Sequence, residues 1–157
     1  NELAGAEKIA ILGIGSELRG DDAAGMLAAE AIDNSIKACP CSRRIKVFFG
    51  SSSPENLTGE IKRFAPTHLL IIDSADMGVK PGVVSLIAED KIGPGSASTH
   101  RMSLKMLLEY LRACLNCKVH VIGIQPVGLG LNMPVSEEVT QAVGHLSDTI
   151  KEVIAEI

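Results

Sequence analysis

Short unbroken apolar runs alternate along this chain with stretches in which apolar residues recur every three or four positions. Lys8–Gly13, Ile45–Phe49, His68–Asp73, Val83–Ile87 and Val119–Ile124 have strand length and strand composition. The run His68–Asp73 is unbroken by charge until its last residue, as expected of a parallel strand covered on both faces. Between the runs, Ala23–Ile36 places Ala24, Leu27, Ala28, Ala31 and Ile32 at helical spacing. Ser53-Pro54-Glu55 carries the signature of a helix start, and that helix should end near Phe64, before Pro66. Ser103 is expected to cap a helix reaching about Leu115, with Leu104, Leu107, Leu108 and Leu111 inward. Ser136, followed by Glu137 and Glu138, opens a last helix that runs to the end. Lys80-Pro81-Gly82 reads as a turn, and Gly93–Thr99 (GPGSAST) as a flexible loop.

Strands alternating with helices predict an α/β fold: a mostly parallel sheet between two helical layers. At 157 residues, with no repeat or low-complexity stretch, residues 1–157 are expected to form one domain. Aromatics make up 3% of the chain, so the core must be built from Ile, Leu, Val and Ala. A net charge of −4 without Lys/Arg clusters argues against nucleic-acid binding. Neither a basic amphipathic helix nor a bilayer-length apolar run is present, so no membrane association is expected. The chain opens Asn-Glu-Leu, and no signal peptide is read there, which makes the cytoplasm the expected compartment. Cys39/Cys41 and Cys114/Cys117 are two close pairs that could in principle hold one zinc ion. Nothing in the sequence brings the pairs together, and reduced thiols are the expectation.

Gly13-Ile14-Gly15 after the first strand invites a dinucleotide reading, which fails in detail. Leu18 stands where the third glycine belongs, and the second strand ends in Gly-Ser-Ser-Ser, with no acid for a ribose hydroxyl. A Walker Gly-Lys-Ser/Thr is absent, and Glu17, Asp21 and Asp22 would oppose a phosphate. A glycine turn that presents carboxylates fits better. Asp21 and Asp22 would stand at the start of the first helix, where the dipole favours negative charge. Either both cap the helix and are solvated, or one caps while the other points outward.

Asp73 ends the most apolar strand, where an unpaired carboxylate would be costly to bury. Asp76, before Met77-Gly78, reads as a turn residue. His100 falls between the Gly/Ser loop and the third helix, whereas His68, His120 and His145 lie within elements. Asp22, Asp73 and His100 therefore fall where a parallel sheet gathers its ligand-binding loops, and two carboxylates with one imidazole suit a divalent transition metal. Other chemistries match less well. No Gly-x-Ser-x-Gly elbow supports a serine triad, and the cysteines read at the opposite sheet edge. His-Glu-x-x-His is absent, and an aspartic dyad needs a close approach that spacing does not show. An incomplete ligand set suits a metal that arrives with something else. The runner-up is a non-catalytic metal-binding or metal-delivery protein using the same residues. A flavodoxin-like module for a small anion suits the acidic loop poorly.

Five stretches carry a resemblance: Leu12–Gly25 (LGIGSELRGDDAAG), Ser53-Pro-Glu-Asn56, Leu69–Gly78 (LLIIDSADMG), Ser98-Thr-His100 and Gly123-Ile-Gln-Pro126. In this order they resemble the nickel–iron hydrogenase maturation endopeptidases, most closely the hydrogenase 3 branch. The resemblance implies a five-stranded twisted sheet between helices. It implies an aspartic-type endopeptidase, a monomer, acting on a hydrogenase large-subunit precursor that already carries nickel. It removes a short C-terminal extension beyond the last metal-binding cysteine motif, after a basic residue. The family's metal-contacting and catalytic positions fall on Asp22, Asp73 and His100, with nickel borne by the substrate. Ser16 departs from the pattern, which usually has Asn there.

Overall fold

The computed structural model describes residues 2–37, 40–92 and 101–156. Its sheet has five strands, β1 (Ile9–Ile14), β2 (Ile45–Ser51), β3 (His68–Ser74), β4 (Val84–Leu86) and β5 (Lys118–Ile124), in the order β2-β1-β3-β5-β4. Four strands are parallel; β4 runs antiparallel to β5 at the edge. The helices are α1 (Ala24–Ile36), α2 (Thr58–Phe64), α3 (Arg101–Cys114) and α4 (Glu137–Ala155). This is the three-layer α/β architecture the pattern predicts.

The strand period divides the core in two. Ile9, Ile11, Leu70, Ile72, Ile122 and Ile124 face α1 and α4, meeting Ala24, Ala28, Ile32, Val139, Val143 and Leu146. Ala10, Leu12, Leu69, Ile71 and Val121 face α2 and α3, meeting Ile61, Leu104, Leu107, Leu108 and Leu111. β1 and β3 are buried along their whole length, which explains why neither shows polar alternation. β2, the edge strand opposite β4, mixes buried and exposed positions.

Helix ends follow local chemistry in places and not in others. Ser136 caps α4, its Oγ accepting from the Val139 N–H at 3.3 Å. α2 ends on Ala65 in the left-handed conformation, just before Pro66. Pro54–Leu57 forms a 3-10 turn leading into α2, and Ser53 makes no capping bond. Ser103 is not a cap: α3 is already helical at Arg101, so Ser103 lies inside it. The apolar stripe from Leu104 marks where α3 meets the sheet, not where it begins. The loop expected at Gly93–Thr99 lies outside the described residues, as do Cys39 and His100. Among the described residues, no helix is long and apolar enough to cross a membrane.

Candidate active site

The strand order creates one reversal. From β1 the chain passes to β2 on one side, then returns to β3 on the other. At the carboxyl ends of β1 and β3 the connecting loops diverge, and sheets of this kind bind their ligands in the crevice at that point. The loop after β1 and the end of β3 carry Asp22 and Asp73.

Glycines bring the first of these into place. Gly15 has φ +135°, and a Cβ on it would fall on the Asp22 carbonyl. A Cβ on Gly25 would fall on the carbonyls of Ile14 and Ile72, so the first turn of α1 sits directly on the ends of β1 and β3. Asp22 belongs to a 3-10 turn, Gly20–Ala23, that feeds α1 and packs against β3. Its side chain is 2% exposed, and its Oδ2 accepts from the Ser16 N–H at 3.0 Å. That bond uses the backbone of Ser16, so serine in place of asparagine leaves it intact.

Asp73 is the penultimate residue of β3, in register with Gly123 of β5, and is also 2% exposed. By strand alternation its side chain shares the face of Leu69 and Ile71, the face covered by α3. α3 ends at Cys114, shortly before β5 starts at Lys118 at the opposite edge, so its Arg101 end lies toward the carboxyl edge. His100, the third expected residue, precedes Arg101 in sequence and lies outside the described residues. Among the described residues, no group of three or more His, Cys, Asp and Glu side chains is placed to hold a metal. The structure thus brings two of the three candidates to one switch point.

Asp21 does something the sequence does not reveal. Neither aspartate caps α1, whose N-cap is Ala23 without a side-chain bond. Instead the Asp21 carboxylate, 1% exposed, reaches the loop between β5 and α4. Oδ2 accepts from the N–H groups of Val127 (2.7 Å) and Gly128 (3.3 Å) and from Ser136 Oγ (2.9 Å). Oδ1 accepts from the Ser136 N–H at 2.7 Å. The acidic pair therefore divides its labour, Asp21 clamping the β5–α4 loop and Asp22 holding the Ser16 N–H of its own loop. Gln125 is a second such tie: its Oε1 accepts from the N–H groups of Met77 (2.7 Å) and Val79 (3.4 Å), and its Nε2 donates to Asp76 Oδ1 at 3.2 Å. Asp76 also accepts from the Gly78 N–H at 3.1 Å, the turn role expected of it. A polar residue between Ile124 and Pro126 was the available sign that Gln125 anchors the loop after β3.

The cysteine chemistry lies elsewhere. Cys114 and Cys117 are free thiols at the amino edge of β5, the edge opposite Asp73. Burial pushes the Cys117 thiol up, with the Arg112 guanidinium opposing more weakly, so it is a poor nucleophile. His68, buried beside that edge, is held below the usual imidazole range by desolvation, then by Lys118 and His120.

Comparison with known proteins gives a consistent picture. The model of the HycI hydrogenase maturation protease family matches residues 29–154. The hydrogenase 3 maturation protease of Escherichia coli K12 is 36% identical over 134 residues, covering 85% of this chain and 82% of that protein. The crystal structure of a nickel–iron hydrogenase maturation protease HycI from Thermococcus kodakarensis superposes with a TM-score of 0.86 at 27% identity, over 98% of this chain and 96% of that one. The solution structure of the endopeptidase HycI from Escherichia coli gives 0.78 at 30% identity, over 92% and 90%.

Proposed function

This chain belongs to the hydrogenase maturation protease family, and from that premise we propose that it removes the C-terminal extension of a nickel-loaded hydrogenase large-subunit precursor, with Asp22, Asp73 and His100 as the residues that meet the precursor's nickel. It does so as a cytoplasmic, monomeric endopeptidase. The observation that carries the reading is the burial of two carboxylates at the carboxyl ends of the adjacent strands β1 and β3, where the strand order reverses. Family membership supports a large-subunit precursor as the substrate.

Carboxylate and imidazole donors suit nickel, which also accepts the thiolates of the precursor. The nickel is cargo, and it acts as a recognition token: a precursor without it offers no anchor and is spared. A cation so placed also polarises a nearby carbonyl or acidifies water. The chain's own part is to hold the acceptors still. The Ser16 N–H fixes the Asp22 carboxylate, and the β3 backbone fixes Asp73. A carboxylate oxygen not engaged by the ion serves as base for the attacking water.

The test is incubation of the purified protein with large-subunit precursor, nickel-loaded or nickel-free, followed by intact-mass spectrometry. Loss of the C-terminal extension from the nickel-loaded form alone is expected. Cleavage of both forms would overturn nickel recognition. No cleavage, together with submicromolar nickel affinity of the isolated protein by calorimetry, would favour metal delivery instead.

A further inference from the structure

From Pro126 to Val135, between β5 and α4, no residue carries a charge. Val127, Leu131 and Met133 on this loop, with Leu18 on the loop after β1, are between 53% and 68% exposed. The two loops are joined. The Asn132 N–H donates to the Leu18 carbonyl at 2.8 Å and the Asp21 N–H to the Gly128 carbonyl at 3.1 Å. A Cβ on Gly20 would stand 3.3 Å from the Met133 Cβ. Four large apolar side chains thus crowd one corner of the surface, an arrangement that marks a binding surface more often than bare exposure.

Two features decide what would cover it. First, the ledge is held: the Asp21 carboxylate bonds Val127, Gly128 and Ser136, so little loop ordering opposes binding. Second, it adjoins the candidate site, since Leu18 stands four residues before Asp22 on the same loop and Asp21 ties that loop to the β5–α4 loop. A lipid surface would call for cationic residues around the ledge, and the chain has a net charge of −4. Apart from the uncharged amide of Asn132, the loop offers apolar side chains and backbone, flanked at Leu18 by one charge of each sign, Glu17 and Arg19. That suits an uncharged apolar peptide segment.

We propose that Leu18, Val127, Leu131 and Met133 form the docking ledge for an apolar segment of the large-subunit precursor adjoining its cleavage site. This rests on the function given above. The ledge sets how much precursor is held at low concentration, while the crevice residues set what happens to it.

The test is the double variant Leu131→Ser/Met133→Ser, with Met106→Ser as control, because Met106 is equally exposed but lies on α3. Affinity for the nickel-loaded precursor is measured by interferometry and processing by mass spectrometry. The ledge variant should bind the precursor at least about tenfold more weakly, with processing restored toward the wild-type rate as precursor concentration is raised. Met106→Ser should bind as wild type does. Equal affinity of the ledge variant and wild type would overturn the proposal. So would a wild-type dimer in sedimentation that the ledge variant abolishes, since a second copy would then be the occupant. If wild type binds but does not cleave, the activity reading fails, and the affinities alone decide the ledge.

Discussion

Replacing Asp21 with alanine tests how the fold holds the edge of its site together. The carboxylate accepts from two backbone N–H groups at 2.7 Å, a third at 3.3 Å and a hydroxyl at 2.9 Å. A hydrogen bond to a charged group contributes about 1.5–3 kcal/mol net. Three good bonds would sum to roughly 5–9 kcal/mol if they were independent and the freed donors stayed dry. They share one carboxylate, and the loop is at the surface, so water can reach some of the freed donors. We therefore expect Asp21→Ala to cost about 3–5 kcal/mol. Asp21→Asn keeps one acceptor oxygen but turns an NH2 toward N–H donors, and should cost about 2 kcal/mol or more. Urea unfolding measures both. With a slope of about 1–3 kcal/mol per molar, the alanine midpoint should fall by roughly 2 M. Hydrogen exchange adds the local readout: the Val127 and Ser136 amides should lose protection in Asp21→Ala, while the Ile71 amide in β3 changes only with global stability. An alanine variant within about 0.5 kcal/mol of wild type, or unchanged exchange at Val127 and Ser136, would refute the clamp.

Two other expectations follow from the packing and from the buried imidazole. Gly25→Ala should lift the first turn of α1 off Ile14 and Ile72, destabilising the protein by about 2–4 kcal/mol in urea and weakening precursor processing; a fully active variant of wild-type stability would show that α1 does not need this contact. His68 has its pKa lowered in the fold from an ordinary 6.5, first by desolvation, then by Lys118 and His120. The unfolded chain then binds the proton more readily, so stability should be full above about pH 6.5 and decline as pH falls through that value toward the folded pKa. Urea midpoints at pH 7.5 and 5.5 should differ less in His68→Gln than in wild type, and an unchanged difference would exclude His68 as the source.

Much of this was legible in the sequence because the relevant signals are local. Continuous apolar runs identified β1 and β3 as central strands, and Ser136-Glu-Glu identified the start of α4. Asp22 and Asp73 stood out because each follows a buried strand, and the sheet order puts them on adjacent ones. What escaped is long-range. Asp21 meets partners more than a hundred positions away, and no spacing rule links them. Its neighbour Asp22 looks the same in sequence, so which of the two becomes the clamp depends on where the β5–α4 loop lies. Ser103 misled for the opposite reason: a serine before a leucine stripe imitates a cap, although α3 is already helical before it. The apolar ledge has no sequence signature, because Val127, Leu131 and Met133 sit in a glycine- and proline-rich loop with no helical or strand period.

The central claim is that the two buried carboxylates at the β1/β3 edge govern processing of the nickel-bearing precursor. Asp22→Asn and Asp73→Asn preserve side-chain shape and remove one charge each. After circular dichroism confirms folding, each is incubated with nickel-loaded precursor beside wild type, and C-terminal trimming is followed by mass spectrometry. We predict that trimming falls by at least about a hundredfold in both variants, as for loss of a charged group acting on the reacting centre. Trimming at the wild-type rate by either folded variant would contradict the account.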